Sequence, residues 1–414
     1  MSSVLATLQT KFEVAKAKNL ALDMTRGKPG SEQLDLTLPM LDLVTSKDYK
    51  TAANADSRNY GGLDGIPEAK ELFKEFLEVS STDEVIVGGN SSLTLMHDLV
   101  SRCMSHGASN SNTPWSKLEK VKFLCPSPGY DRHFAICEHF GIEMITVENK
   151  NNDLDIEKIE ELVAKDDAIK GIWVVPKYGN PTGTSVADEV VNRLAAMKTA
   201  ANDFRIFWDN AYTVHHLSED QDVIKNLFDV CKTEGNANRV FILGSTSKIT
   251  FAGSGMAAIG GSVENMNWMK KHLTISTIGP DKINQVRHAR FFGDFEGLKK
   301  HMVKHADLIR PKFEVVISIL EGQLGGKNLA TWTNPKGGYF ISLDTNEGCA
   351  KRVVALANEA GVKLTAAGAT FPYNNDPKDT NIRLAPTLPS IEEIKLAMEV
   401  VCLCIELADA EKNA

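Results

Sequence analysis

Lys248 lies in "RVFILGSTSKITFAG" (residues 239–253), set among hydroxyls and apolar residues at the end of an apolar run. An amine in such a place can add to a carbonyl and, when released, move a proton. Other polar groups follow apolar runs in the same way. Asn180 opens Asn180-Pro181-Thr182-Gly183 after "GIWVVP", and Asp209 closes "FRIFWD" with Tyr212 three residues on. Gly88, Gly89, Asn90, Ser91 and Ser92 lead from "EVIVG" into a helical pattern. Taken singly, these read as a turn, a helix cap or a loop. Together they suit pyridoxal phosphate. Lys248 would form the Schiff base, and Asp209 would keep the pyridine nitrogen protonated so that the ring can accept carbanion charge. Asn180 and Tyr212 would donate to the phenolic oxygen. Hydroxyls and backbone N–H groups at a helix N-terminus would hold the phosphate.

For these groups to meet, their apolar runs must lie side by side. The strand candidates are residues 84–88, 121–125, 142–147, 171–176, 204–209, 239–244 and 257–263, most of them separated by helical patterns such as "SLTLMHDLVSRCM" and "ADEVVNRLAAMKTAAND". This alternation predicts an α/β fold with a mainly parallel seven-stranded sheet, covered on both faces and binding its ligand beyond the carboxyl ends of the strands. After residue 264 long helical stretches dominate, and Pro311 is expected to interrupt or kink one of them. The expected organisation is a large domain over residues 51–295 and a smaller α+β domain from residues 1–50 and 296–414.

The chain has 414 residues, 43% hydrophobic and 24% charged, which suits a soluble globular protein with more than one core. Its net charge of −8 argues against nucleic acid or an anionic membrane as the main partner. No run of about 20 uninterrupted apolar residues occurs, and the amphipathic N-terminus is unlike a secretory signal, so residence in the cytoplasm is the expectation. Seven scattered cysteines lack C-x-x-C spacing, and most of them read as buried free thiols. His301 and His305 share a helix face without a third ligand nearby, so no metal is expected and a solvated helix is the plain reading. Gly253-x-Gly255-x-x-Ala258 imitates a dinucleotide fingerprint but precedes a strand, the wrong context for one.

The motifs "DMTRGKPG", "NYGGLDGI", "NPTG", "DNAY", "STSK" and "NIRLAP" run in this order along nearly the whole chain. In this the chain resembles fold-type I aminotransferases of the aspartate aminotransferase superfamily. "LDMTRGKPG", "PSPGYDRHF" and "STSKITFAGSG" are most similar to the divergent bacterial branch, subgroup Ic. The resemblance implies Lys248 as the Schiff-base lysine, Asp209 on the pyridine nitrogen, and Asn180 with Tyr212 on the phenolic oxygen. It further implies Asn90, Ser91, Ser92, Ser245 and Ser247 around the phosphate, and a homodimer in which Tyr60 reaches the neighbouring subunit's phosphate. Arg383 would grip the substrate α-carboxylate, and Gly27 would mark where a mobile N-terminal segment passes the substrate. Tyr130 is the candidate for stacking on the ring. Met256 stands where the superfamily usually carries a phosphate-binding arginine. The expected activity is transamination between aspartate and 2-oxoglutarate. Arg26 is the suggested reader of the distal carboxylate, with Lys282, Arg287 and Arg290 as looser candidates. Aminotransferases for aromatic or neutral amino acids, lyases and decarboxylases share this constellation, and a non-catalytic regulatory homologue is the remaining alternative.

Overall fold

The structure, a computed structural model, describes residues 3–414. The seven expected strands form a single sheet. They are β1 (Val85–Val87), β2 (Lys122–Ser127), β3 (Glu143–Glu148), β4 (Ile169–Val174), β5 (Arg205–Asp209), β6 (Val240–Ser245) and β7 (Ala257–Gly261). Their spatial order is β1-β7-β6-β5-β4-β2-β3, with only β7 antiparallel to its neighbours.

Strands β4, β5 and β6 are buried along their entire length, which is why they read as continuous apolar runs rather than alternating ones. Leu124, Ile172, Ile206 and Ile242 face one apolar cluster, while Phe123, Trp173, Phe207 and Phe241 face another on the opposite side. A helix layer covers each face, so the strand ends are the open edge of the sheet.

A third cluster unites the helix Ser3–Lys16 with the helices Phe295–Leu324, Ala350–Glu359 and Ile391–Lys412. These pack on a three-stranded antiparallel sheet whose middle strand, Ile341–Thr345, lies between Ala330–Trp332 and Asn381–Leu384. The N-terminal segment is tied to this body by a short parallel pairing of Leu22–Asp23 with Val362–Lys363.

The helix Phe295–Leu324 runs through Pro311 without a break, against the expectation of an interruption. Ile309, Lys312, Phe313 and Val316 are buried on both sides of the proline. Their packing offsets a helix-interior proline's cost of about 3 kcal/mol or more. The expected helix over "ADEVVNRLAAMKTAAND" stops at Ala196. All seven cysteines are buried free thiols, where this was expected of most.

Candidate active site

Strand β5 ends at Asp209, and the following turn buries Tyr212. One strand over, β6 ends at Ser245 and the chain turns through Lys248, whose Nζ lies 4.9 Å from the centroid of the Tyr212 ring. Burial, and then the Asp209 carboxylate, push the Tyr212 phenol well above its ordinary value, so it stays a neutral O–H donor. Asp209 is also buried. Its Oδ2 accepts from His133 Nε2 at 3.1 Å, and the His133 ring is stacked on Trp173 at 4.5 Å and 11°. Its Oδ1 is buried without a hydrogen-bond partner. A protonated ring nitrogen is the kind of donor that such an oxygen lacks, so the residues here fit pyridoxal phosphate. Tyr130 meets His133 edge-on at 4.9 Å, and burial raises its phenol to about 12.

At the other end of this rim, Ser245 Oγ donates to Ser247 Oγ at 3.1 Å, and Ser247 Oγ to the Asn90 carbonyl at 3.1 Å. Asn90 Nδ2 reaches the Gly253 carbonyl at 3.3 Å. Ser91 is the N-cap of the helix Ser92–His106, and its side chain makes no capping bond. Hydroxyls and first-turn N–H groups thus sit together as an anion site would have them. Met256 is 1% exposed and belongs to the apolar core, while its N–H donates to Thr246 Oγ1 at 2.8 Å. The position that carries an arginine in the superfamily is here an interior one.

Arg383 lies on the strand Asn381–Leu384, opposite Ser342. Its Nη1 donates to Asn180 Oδ1 at 3.2 Å and to Asp131 Oδ1 at 3.0 Å. Nη2 reaches Thr365 Oγ1 at 3.4 Å, and that hydroxyl donates to the Thr25 carbonyl at 2.9 Å. The guanidinium stands 5.0 Å over the Phe340 ring. A Cβ on Gly27 would come within 2.5 Å of the same ring, so only glycine lets the N-terminal segment pass here undisturbed. Thus Gly27, Thr25, Asn180 and Arg383 belong to one neighbourhood.

Behind Lys248 is a buried polar network. Tyr339 Oη donates to the Lys248 carbonyl at 3.3 Å, and Gln33 Nε2 donates to Tyr339 Oη at 3.0 Å. Gln33 Nε2 also lies 3.1 Å from His305 Nδ1, while its Oε1 accepts from Gly30 N at 3.1 Å. His305 Nε2 and His301 Nε2 are 3.0 Å apart, and His301 lies 2.9 Å from the Ile249 carbonyl. The reading of His301 and His305 as part of a solvated helix is therefore wrong. Both are buried under the lysine loop, and burial lowers both, His305 to about 3. No group of three metal-binding side chains occurs among the described residues.

Two expected site residues lie apart from these contacts. Tyr60 is 81% exposed, in a loop whose Gly61 carbonyl accepts from Lys282 Nζ at 2.8 Å. Arg26 is exposed and has no ion pair among the described residues. Of the looser candidates, Arg290 is held by Asp48 Oδ1 at 2.7 Å and by the carbonyls of Leu43 and Lys50, and Arg287 by Asn284. The dinucleotide imitation ends with Ala258 inside β7, not at a helix start. His133, Asp131, Thr365, Gln33 and Tyr339 were not singled out from the sequence. The one signal for His133 was its position three residues after Tyr130 at the start of a helical pattern.

The profile of a family described as Aspartate amino-transferase matches residues 1–414. An aspartate aminotransferase of Corynebacterium glutamicum is 48% identical over 407 residues, 98% of this chain and 94% of that protein. The crystal structure of an aspartate transaminase from the same organism superposes with a TM-score of 0.96 at 48% identity, covering 99% of this chain and 96% of that one. An α-aminoadipate aminotransferase of Thermus thermophilus, solved with N-(5'-phosphopyridoxyl)-L-leucine, superposes with a TM-score of 0.77 over 99% of this chain and 98% of its own. At 19% identity, that likeness shows the fold alone.

Proposed function

Because the chain belongs to the aspartate aminotransferase family and is an aminotransferase, we propose that it moves the amino group of aspartate to 2-oxoglutarate, with pyridoxal phosphate held on Lys248. The observation that carries the cofactor reading is Asp209, buried with one oxygen on His133 and the other unpartnered, on the same rim as Lys248. Bound there, pyridoxal phosphate supplies an aldehyde that condenses with amines and a ring that accepts negative charge.

The chain's own residues do the rest. Asp209, oriented by His133, presents a fixed negative charge to the ring nitrogen. Tyr212 and Asn180 donate to the phenolic oxygen. Ser91, Ser92, Ser245, Ser247 and Asn90, with the N–H groups of the first helical turn, hold the phosphate. Arg383 would bind the α-carboxylate and so bring the substrate Cα within reach of Lys248 Nζ, which would take its proton once the substrate amine has displaced Lys248 from the cofactor aldehyde. Tyr130, edge-on to His133, would cover the ring. Arg26 faces the distal carboxylate when the segment around Gly27 closes and excludes water. Its exposure and lack of an ion pair support that role. An aminotransferase for neutral amino acids, or a lyase, would share the cofactor end and would not need a cation at Arg26.

We also propose a homodimer, supported by the 81% exposure of Tyr60, an aromatic side chain left in solvent by its own subunit. In the dimer Tyr60 would complete the partner's phosphate site. Full activity of a monomer at high dilution would contradict this.

The central test is spectroscopic. The purified protein should absorb visible light through a cofactor that borohydride fixes to the chain. Lys248→Ala should fold, lose that covalent attachment and lose nearly all transamination. A reducible attachment that survives in Lys248→Ala would place the cofactor on another lysine.

A further inference from the structure

Arg383 is 8% exposed, and a guanidinium so deeply placed is costly to leave without a counter-charge. In this chain the counter-charge is internal. Asp131 Oδ1 accepts from Nη1 at 3.0 Å, and it is the one carboxylate that pairs with Arg383 among the described residues. The other contacts of the guanidinium are neutral, Asn180 Oδ1 and Thr365 Oγ1, and Nε has no partner.

The two members of the pair differ in exposure. The Arg383 side chain is 9% exposed and that of Asp131 is 34% exposed. Asp131 can turn into water and remain charged at small cost, whereas Arg383 cannot. Asp131 is also the first residue of the helix Asp131–His139, where a carboxylate is favoured whether or not it touches Arg383. Asn180 shares Nη1 with Asp131, and Tyr130, the neighbour of Asp131 in the chain, meets His133, the partner of Asp209, which puts the pair beside the proposed cofactor site.

We propose that Asp131 is an exchangeable internal counter-ion of Arg383, neutralising the guanidinium while no substrate is bound and yielding its place on Nη1 to the incoming α-carboxylate. The proposal rests on Arg383 being the α-carboxylate anchor. It makes Asp131 a competitor of every substrate, whatever the side chain. Removing its charge therefore has opposite effects on two properties. The empty protein loses stability because the guanidinium is left unpaired, and carboxylate ligands bind more tightly because nothing has to be displaced. A residue that only braced Arg383 would lose both stability and affinity when replaced.

The test compares the wild-type holoenzyme with Asp131→Asn, which keeps the shape and an oxygen for Nη1 but removes the charge. Asp131→Ser, which keeps a hydroxyl at the helix start, is the second variant in case the first folds poorly. The readouts are KM for aspartate and for alanine, the inhibition constant of succinate, and Tm with and without succinate. KM for both amino acids and the succinate constant should fall together, by about threefold or more. Tm without ligand should drop by about 1–4 °C, and succinate should restore more of it than it adds to the wild type. Unchanged or raised KM and inhibition constants would overturn the proposal, as would an effect confined to aspartate. Arg383→Gln tests the underlying reading separately. If that variant leaves both KM values unchanged, Arg383 is not the anchor. If it raises both while Asp131→Asn lowers neither, the anchor stands and the counter-ion role falls.

Discussion

The end of the site proposed for the cofactor and the end proposed for the substrate are built differently. At the cofactor end, Asp209 closes β5, Ser245 closes β6 with Lys248 three residues on, and Asn90 and Ser91 follow β1, all strands of one sheet. Hydrogen-bonded register holds neighbouring strand ends in fixed relation, for instance Asp209 opposite Leu243. The substrate end has no such frame. Arg383 comes from the antiparallel sheet, Asn180 and Asp131 from loops and helix starts of the large sheet, Thr365 from a connecting segment, and Gly27 from near the N-terminus. It exists only while the two sheets and the N-terminal segment are packed together. A half framed by one sheet is thus joined to a half assembled from separate elements, which suits the proposal that the segment around Gly27 admits substrate and then closes over it.

Three perturbations test that contrast. The largest effect is expected at the half framed by one sheet. Asp209→Asn keeps the shape and removes the charge proposed to face the ring nitrogen, and kcat should fall by about 10³-fold, the scale of losing a preorganised electrostatic partner. Its KM for alanine and for aspartate should change by similar factors, because nothing at the substrate end has moved. A loss confined to one substrate would break the separation of the two halves.

Next comes Arg26→Ala. It should raise KM for aspartate and 2-oxoglutarate far more than for alanine, with about 2–5 kcal/mol lost in kcat/KM for the dicarboxylates. Steady-state kinetics with both amino acids decides it. Equal losses, or none, would remove Arg26 from the specificity pocket.

The smallest effect concerns the network behind Lys248. Burial keeps His305 neutral, with its value lowered to about 3 from an ordinary 6.5. The unfolded chain therefore takes up a proton there before the folded chain does, so stability falls as pH drops from about 6.5 toward about 3. One such group contributes a slope of at most about 1.4 kcal/mol per pH unit. Denaturation followed between pH 7 and 4 should show a shallower slope for His305→Gln than for the wild type, with little difference above pH 7. An identical slope would mean that His305 is protonated in the folded protein.

Legibility in the sequence follows the same division. The groups at strand ends could be found because an apolar run followed by a polar residue is a local pattern, and the parallel sheet turns that pattern into proximity. His133 was missed although it holds Asp209, because one histidine on an amphipathic helix gives no sign of what it faces. His301 and His305 were misread for a related reason. Spacing of four residues places two side chains on one helix face but does not say whether water or another chain segment covers it. Here the Lys248–Ile249 loop and Gln33 cover it. The expected interruption at Pro311 did not occur, because its local cost is readable in the sequence while the packing that offsets it is not.

The sequence alone determined the sheet, the helix layers, the order of the polar strand ends and the amine at Lys248, since each rests on periodicity or on neighbours within a few residues. Only the tertiary structure decided which oxygen of Asp209 is satisfied, that Met256 faces the core, that Gly27 passes the Phe340 ring, and that Asp131 is the counter-ion of Arg383. Those facts depend on contacts between residues far apart in the chain, 252 positions for Asp131 and Arg383 and more for Gly27 and Phe340, formed when separately encoded elements pack, and no local pattern records which groups that packing will bring together.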